Sequence, residues 1–274
     1  MPFLFCNGAM LYYELHGPAD APPLVLNNGI LMNAAGSWTP QTQAFAAEYR
    51  VLQYDCRGQG FSDRPDGPYS MALHADDLAA LLDGLGIERA HVLGISYGGE
   101  VAQAFALAHP GRLEGLILAD TVSEVGPELR LIVEGWKAAA RKGDADLFFL
   151  VTVGWNFSPE FIAARTSVLQ GARARYRDLD LAAVARLCDA FLDVDFTGRL
   201  HEITAPTCVI VGERDLLKTR RYAEAIHRAI RGSELHVLPG AGHAVCLESP
   251  AVFNATVLDF LASVRAGSDR SGAS

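Results

Sequence analysis

The sequence predicts an α/β fold: a mostly parallel central sheet with helices on both faces and a helical cap inserted near the middle of the chain. Three observations predict it. Short apolar runs, Leu24-Val25-Leu26, Ala90 to Leu93, Leu116 to Ala119 and Thr207 to Val211, alternate with amphipathic stretches, and continuous apolar strands of this kind belong in a parallel sheet covered on both faces. Asp55, Ser96, Asp120 and the Gly29 loop all follow such runs, at the carboxyl edge where open α/β sheets bind ligands. Between Val122 and Leu200 the strand-like runs stop and helical periodicity takes over. The chain therefore divides into a first core part (1–121), a helical cap insertion (122–200), a second core part (201–265) and a tail (266–274) of Gly, Ser and charge that is expected to be disordered.

Taken in order, Phe3 to Phe5 and Met10 to Glu14 flank Asn7-Gly8, a hairpin signal. Pro22-Pro23 opens the Leu24 strand, which ends in the loop Asn27 to Asn33. Ser37-Trp38-Thr39-Pro40 reads as a helix start, with a capping hydroxyl and Pro in the first turn. Tyr49 to Asp55 is a strand, Arg57 to Ser62 a Gly-rich loop, and Ser70 to Leu85 a helix with Leu78, Leu81, Leu82 and Leu85 on one face. A helix from Glu100 to His109 stops at Pro110-Gly111, and the Leu116 strand closes at Asp120. The insertion reads as helices over Glu128 to Arg141, Ala145 to Val153, Pro159 to Arg177 and Leu181 to Phe191. Alternation resumes with Thr207 to Val211, a helix Arg220 to Ile230, the strand Leu235 to Leu238 and a last helix Pro250 to Val264. Most insertion aromatics are expected to pack inside it; Trp155 and Phe157, beside Gly154, are the two expected to face a substrate.

The formal charge is −9, which argues against nucleic acid or an anionic membrane surface as partner. The local basic groups Arg173/Arg175/Arg177 and Lys218/Arg220/Arg221 read as solvated helix faces. Five scattered cysteines without a Cys-x-x-Cys pair fit a reducing compartment and none of the usual zinc patterns. The N-terminus lacks the basic region of a signal peptide, and no window is apolar enough for a membrane span. The expectation is a cytoplasmic monomer or homodimer that acts on a small molecule.

The run Gly94-Ile95-Ser96-Tyr97-Gly98-Gly99 joins a strand to a helix. This is the Gly-x-Ser-x-Gly elbow in the context it requires. A turn so tight strains the serine backbone and brings the residues two to either side nearly onto the seryl side chain, where a Cβ would clash. The hydroxyl then stands clear of the sheet at a helix N-terminus. A serine hydroxyl is a poor nucleophile near neutral pH and needs a base, which in turn needs a third group to hold its tautomer. Seven of the eight histidines have structural readings. His243 does not: it follows a strand in Gly240-Ala241-Gly242-His243. Asp215, in Gly212-Glu213-Arg214-Asp215, completes the chain order Ser, Asp, His expected for this elbow. Asp120 is the rival acid, Glu213 is expected to point elsewhere, and Glu248 to order the last helix. Oxyanion stabilisation calls for two backbone N–H donors, Tyr97 after the nucleophile and Ile30 in the loop that Gly29 keeps open. No metal or organic cofactor is required by this chemistry.

Together, Tyr54 to Ser62, Gly94 to Gly99, Gly212 to Asp215 and Gly242-His243 resemble the α/β-hydrolase superfamily over nearly the whole chain. The nearest likeness is to small bacterial carboxylesterases and 3-oxoadipate enol-lactonases, the latter through Trp38 to Gln41 and Pro68-Tyr69-Ser70. The resemblance implies Ser96, Asp215 and His243 as a catalytic triad. It departs at Asn28-Gly29, where most relatives have His-Gly; the acyltransferase that builds the lipid part of rhamnolipids is similar in having Asn-Gly. Hydrolysis of a carboxylic ester or lactone through an acyl-enzyme on Ser96 is the leading expectation. Enol-lactone hydrolysis, acyl transfer and a slow-turnover ligand sensor are the alternatives.

Overall fold

Asn7 and Gly8 both take positive φ (45° and 81°), the conformation a two-residue hairpin turn requires, and they join β1 (Phe3–Cys6) to β2 (Ala9–His16). The structure, a computed structural model, describes residues 2–271. Six further strands follow: β3 (Pro23–Asn27), β4 (Arg50–Tyr54), β5 (Ala90–Ile95), β6 (Leu113–Ala119), β7 (Thr207–Gly212) and β8 (Glu234–Leu238). They form one eight-stranded sheet in the order β1-β2-β4-β3-β5-β6-β7-β8. The first two pairings are antiparallel and the other five parallel. The strand order reverses around β3, so β5 lies at the centre with its carboxyl end open to a crevice.

Side chains alternate across the sheet. Val25 and Val92 face one apolar layer with Leu78, Leu82 and Phe105. Leu24, Leu26, Leu93 and Ile95 face the other, with Trp38, Phe45, Phe253 and Phe260. Each such buried side chain contributes ~1.5–3 kcal/mol by leaving water. Ahead of β4 lie α1 (Ala34–Ser37) and α2 (Thr39–Phe45). Pro40 sits in the first turn of α2 as expected, but Ser37 does not cap it; its Oγ accepts from the Asn33 amide instead, because a separate short turn of helix precedes Trp38. Ser70 does cap α3 (Met71–Gly84), accepting from Leu73 N. The helix after the elbow, α4 (Tyr97–Ala108), begins directly at Tyr97, three residues earlier than expected.

Four helices follow β6: α5 (Pro127–Arg141), α6 (Ala145–Asn156), α7 (Pro159–Ala172) and α8 (Leu181–Leu192). The helix expected from Pro159 to Arg177 is kinked at Arg165 and ends at Ala172, giving way to a 3₁₀ segment, Arg173–Asp178. An isolated antiparallel bridge between Glu124 and Asp195 draws the two ends of this segment together. The chain finishes with α9 (Arg220–Ala229), α10 (Val245–Glu248) and α11 (Pro250–Ser271). The last helix therefore runs through the first part of the stretch expected to be a disordered tail; residues 272–274 lie outside the described residues. Among the described residues no helix is long and apolar enough to cross a membrane.

Candidate active site

Ser96 sits between β5 and α4 at φ 52°, ψ −120°, a region that costs a non-glycine residue on the order of 1–3 kcal/mol. The glycines that permit this turn do so for a reason different from the one expected. A Cβ on Gly94 would strike the Gly98 carbonyl, and one on Gly98 would strike the Asn27 carbonyl at the end of β3. The nearest obstacles are thus neighbouring main-chain atoms and the Asn27 Cβ, not the seryl side chain. Tyr97 N, at the first position of α4, and Ile30 N have no hydrogen-bond partner among the described residues, as a helix N-terminus and an open loop dictate.

Three expected residues converge. His243 Nε2 lies 2.9 Å from Ser96 Oγ, and His243 Nδ1 lies 2.8 Å from Asp215 Oδ2. All three side chains are buried. A carboxylate beside Nδ1 keeps the proton there, leaving Nε2 free to accept from the hydroxyl. Asp215 is itself fixed: its Oδ1 accepts from the amides of Leu217 and Lys218, both at 2.8 Å. The loops carrying Asp215 and His243 touch, since a Cβ on Gly212 would meet the Gly242 carbonyl.

The other acids have separate tasks. Asp120, at φ 43°, accepts from Gly212 N at 2.9 Å and Val245 N at 3.2 Å. It therefore pins the backbone at the roots of both loops. Burial and the neighbouring Asp215 charge push its carboxyl well above the usual range. Its donor atoms, with those of Asp215 and His243, lie within 4.8 Å of one another, but each is already committed to the hydrogen bonds just described. Glu213 points away, accepting from Gly240 N. Glu248 does not order α11. It accepts from the amide and hydroxyl of Ser158, which caps α7, and so ties the α6–α7 turn to the histidine loop.

Asn28, where the sequence departs from the expected His-Gly, is tied into the interior. Its amide donates to Tyr54 O and Asp55 Oδ1, and its Oδ1 accepts from Trp38 Nε1 at 2.7 Å. Gln59 Nε2 donates to Gly29 O at 3.0 Å, and Asp55 also accepts from Ala34 N and Phe61 N. The loop bearing Gly29 and Ile30 is thus held from its interior side.

Ser96 lies between two cavities. The larger, about 230 Å³, is lined by Ser96, His243, Gly29, Ile30, Phe149, Phe157, Tyr176 and Leu247, with Arg175 at its wall. The smaller, about 20 Å³, is lined by Ser96, Ile30, Tyr97, Leu129, Val133, Trp136, Phe191, Leu217 and Lys218. Phe157 therefore faces the site. Trp155 does not: it lines neither cavity and is 37% exposed, because Phe149, Val153 and Asn156 make the inward face of α6 and residue 155 falls on the opposite side.

Lys218 corrects another expectation. It is no solvated cation but a buried one, its Nζ 2.9 Å from both Glu100 oxygens and 4.6 Å from the Phe191 ring centroid. Burial pulls its pKa down against the pull of Glu100. Glu100 also accepts from Thr121 Oγ1 and Val122 N. This buried pair, which joins the elbow helix to the Asp215 loop, left no mark in the sequence, since its members are 118 positions apart. Trp136 was likewise missed, being one insertion aromatic among several.

The alpha/beta hydrolase family matches this chain over residues 15–256. The chain is 31% identical to a protein of a Caulobacter species named "Putative carbamate hydrolase RutD", over 92% of this chain and 95% of the relative. It is 31% identical to the 3-oxoadipate enol-lactonase 2 of Acinetobacter baylyi, over 93% and 94%. Among solved structures, the enol-lactonase from Burkholderia xenovorans superposes with a TM-score of 0.89 at 31% identity, covering 95% of this chain and all of that one.

Proposed function

The chain belongs to the alpha/beta hydrolase family, and from that premise we propose that it cleaves carboxylic esters or lactones of small molecules through an acyl-enzyme on Ser96. The observation that carries this reading is the pair of hydrogen bonds from His243, one to Ser96 Oγ and one to Asp215. His243 takes the hydroxyl proton as Ser96 attacks the carbonyl carbon. The tetrahedral oxyanion is held by the amides of Tyr97 and Ile30, donors worth ~3 kcal/mol apiece in such sites. His243 then passes its proton to the leaving oxygen. Water, deprotonated by the same imidazole, releases the acid and restores the serine. Asp215 holds the imidazole and stabilises its cation throughout.

Opening of an enol-lactone ring is a second reading of the same machinery, favoured by the likeness to the Acinetobacter baylyi and Burkholderia xenovorans enol-lactonases. A fluorophosphonate probe tests the shared step. Covalent labelling confined to Ser96, abolished in Ser96→Ala, is the expected result; a folded protein that takes no label overturns the reading.

A further inference from the structure

The two cavities that meet at Ser96 differ in which part of the relay they share. The larger holds both Ser96 and His243; the smaller holds Ser96, Ile30 and Tyr97 but not His243. We propose that the two sides of a scissile ester are divided accordingly, with the leaving alcohol in the larger cavity and the acyl chain in the smaller, so that the open-chain esters this site favours are acetates of a bulkier alcohol. This rests on the acyl-enzyme reading above.

The division follows from proton transfer. The leaving oxygen must receive its proton from His243 Nε2, so it lies on the histidine side of Ser96. The carbonyl oxygen is held by the amides of Ile30 and Tyr97. The remaining substituent of the carbonyl carbon, the acyl chain, then points to the side that Tyr97 lines and His243 does not. That side is small. A space of about 20 Å³ is little more than one water or one methyl group occupies. Its walls are closed by Leu129, Val133 and Trp136, at i, i+4 and i+7 on one face of α5, and by Phe191 from α8.

The chemistry of those walls selects between groups of equal size. A carbamoyl NH₂ matches a methyl in volume but brings two donors. Of the polar side chains lining this cavity, Lys218 is a donor already engaged by Glu100, the Tyr97 hydroxyl is engaged with His74, and the Ser96 hydroxyl is engaged with His243. An amide nitrogen would be buried there without an acceptor, whereas a methyl group loses nothing.

The test is an acyl series on a fixed alcohol: p-nitrophenyl acetate, butyrate and hexanoate, with p-nitrophenyl carbamate as the isosteric arm. Each methylene beyond acetate is expected to lower kcat/KM by roughly tenfold or more, the scale of discrimination a filled apolar pocket gives, and the carbamate to be turned over more slowly than the acetate. Val133→Ala and, independently, Leu129→Ala are expected to raise the butyrate-to-acetate ratio by about tenfold. Leu247→Ala, in the larger cavity, is expected to change the ranking of acetates of different alcohols and not that ratio. Hexanoate or carbamate cleaved as fast as acetate, or an unchanged ratio in both folded α5 variants, overturns the division while Ser96 labelling still stands. Loss of labelling and of all ester turnover in the folded protein overturns the underlying reading instead.

Discussion

The rim of the sheet and the helical segment above it contribute to one site in opposite ways. At the rim, position is set by backbone: Gly94, Gly98 and Gly212 sit where any side chain collides with a carbonyl, Ser96 and Asp120 hold positive φ, and main-chain amides take both carboxylate oxygens of Asp120 and one of Asp215. In the segment from α5 to α8, position is set by apolar side chains such as Val133, Phe149 and Phe157 that wall the cavities. Backbone geometry is nearly all-or-none, whereas side-chain packing yields by degrees. The rim therefore fixes the geometry at Ser96, and the helices fix the shape of the space around it.

Substitutions that separate these two roles are expected to differ in size. At the rim, Ser96→Ala or His243→Ala should lower kcat by ~10⁶-fold and Asp215→Asn by ~10⁴-fold, with circular dichroism unchanged; steady-state kinetics measures both. A loss of less than about a hundredfold in any of the three would blur the contrast at its strongest point. Lys218→Met removes the counter-charge of the buried Glu100 carboxyl, which should cost about 3–5 kcal/mol in urea unfolding. Adding Glu100→Gln should recover a large part of that, and a double variant no better than the single would assign the loss to packing against Phe191.

His74 offers a test in pH. It is buried beside Tyr97 OH, 2.8 Å from Nε2, and burial pulls its pKa from an ordinary 6.5 down to about 3. Below pH 6.5 the unfolded chain binds a proton that the folded protein refuses. Stability is then lost as pH falls from 6.5 towards 3, by ~1.4 kcal/mol per pH unit for this one group. His74→Gln should flatten the acid side of the urea midpoint by that amount. In the helical segment, Phe157→Ala should raise KM by roughly tenfold with a much smaller change in kcat. Trp155→Ala, two residues earlier but outside the cavities, should alter stability by less than about 0.5 kcal/mol and leave both constants where they are.

This division also governs how far each part was legible in the sequence. The elbow was readable because its turn admits so few residue types: Gly94, Ser96 and Gly98 announce a geometry. The acid and the base were readable because loops that end parallel strands share one edge, which brings His243 and Asp215 to Ser96 from 147 and 119 positions away respectively when their strands are laid side by side. What decides a lining residue on a helix is its angle around the axis, and an aromatic turned inward looks the same in sequence as one turned outward. Hence Phe157 was found, Trp155 misplaced and Trp136 missed. Lys218 was misread as one of a surface trio because nothing local to it reveals a carboxylate on a distant helix.

The grip of Glu248 on Ser158 has a consequence for how such a protein changes. The helices over Ser96 are moored to the short stretch that carries His243, and Ala244 N reaches up to Asn156 O from the same stretch. A lineage cannot reshape the cavity by slackening that corner without also unsettling His243 beneath it. Novelty is cheaper at α5 and α8, whose side chains can be trimmed while the mooring holds.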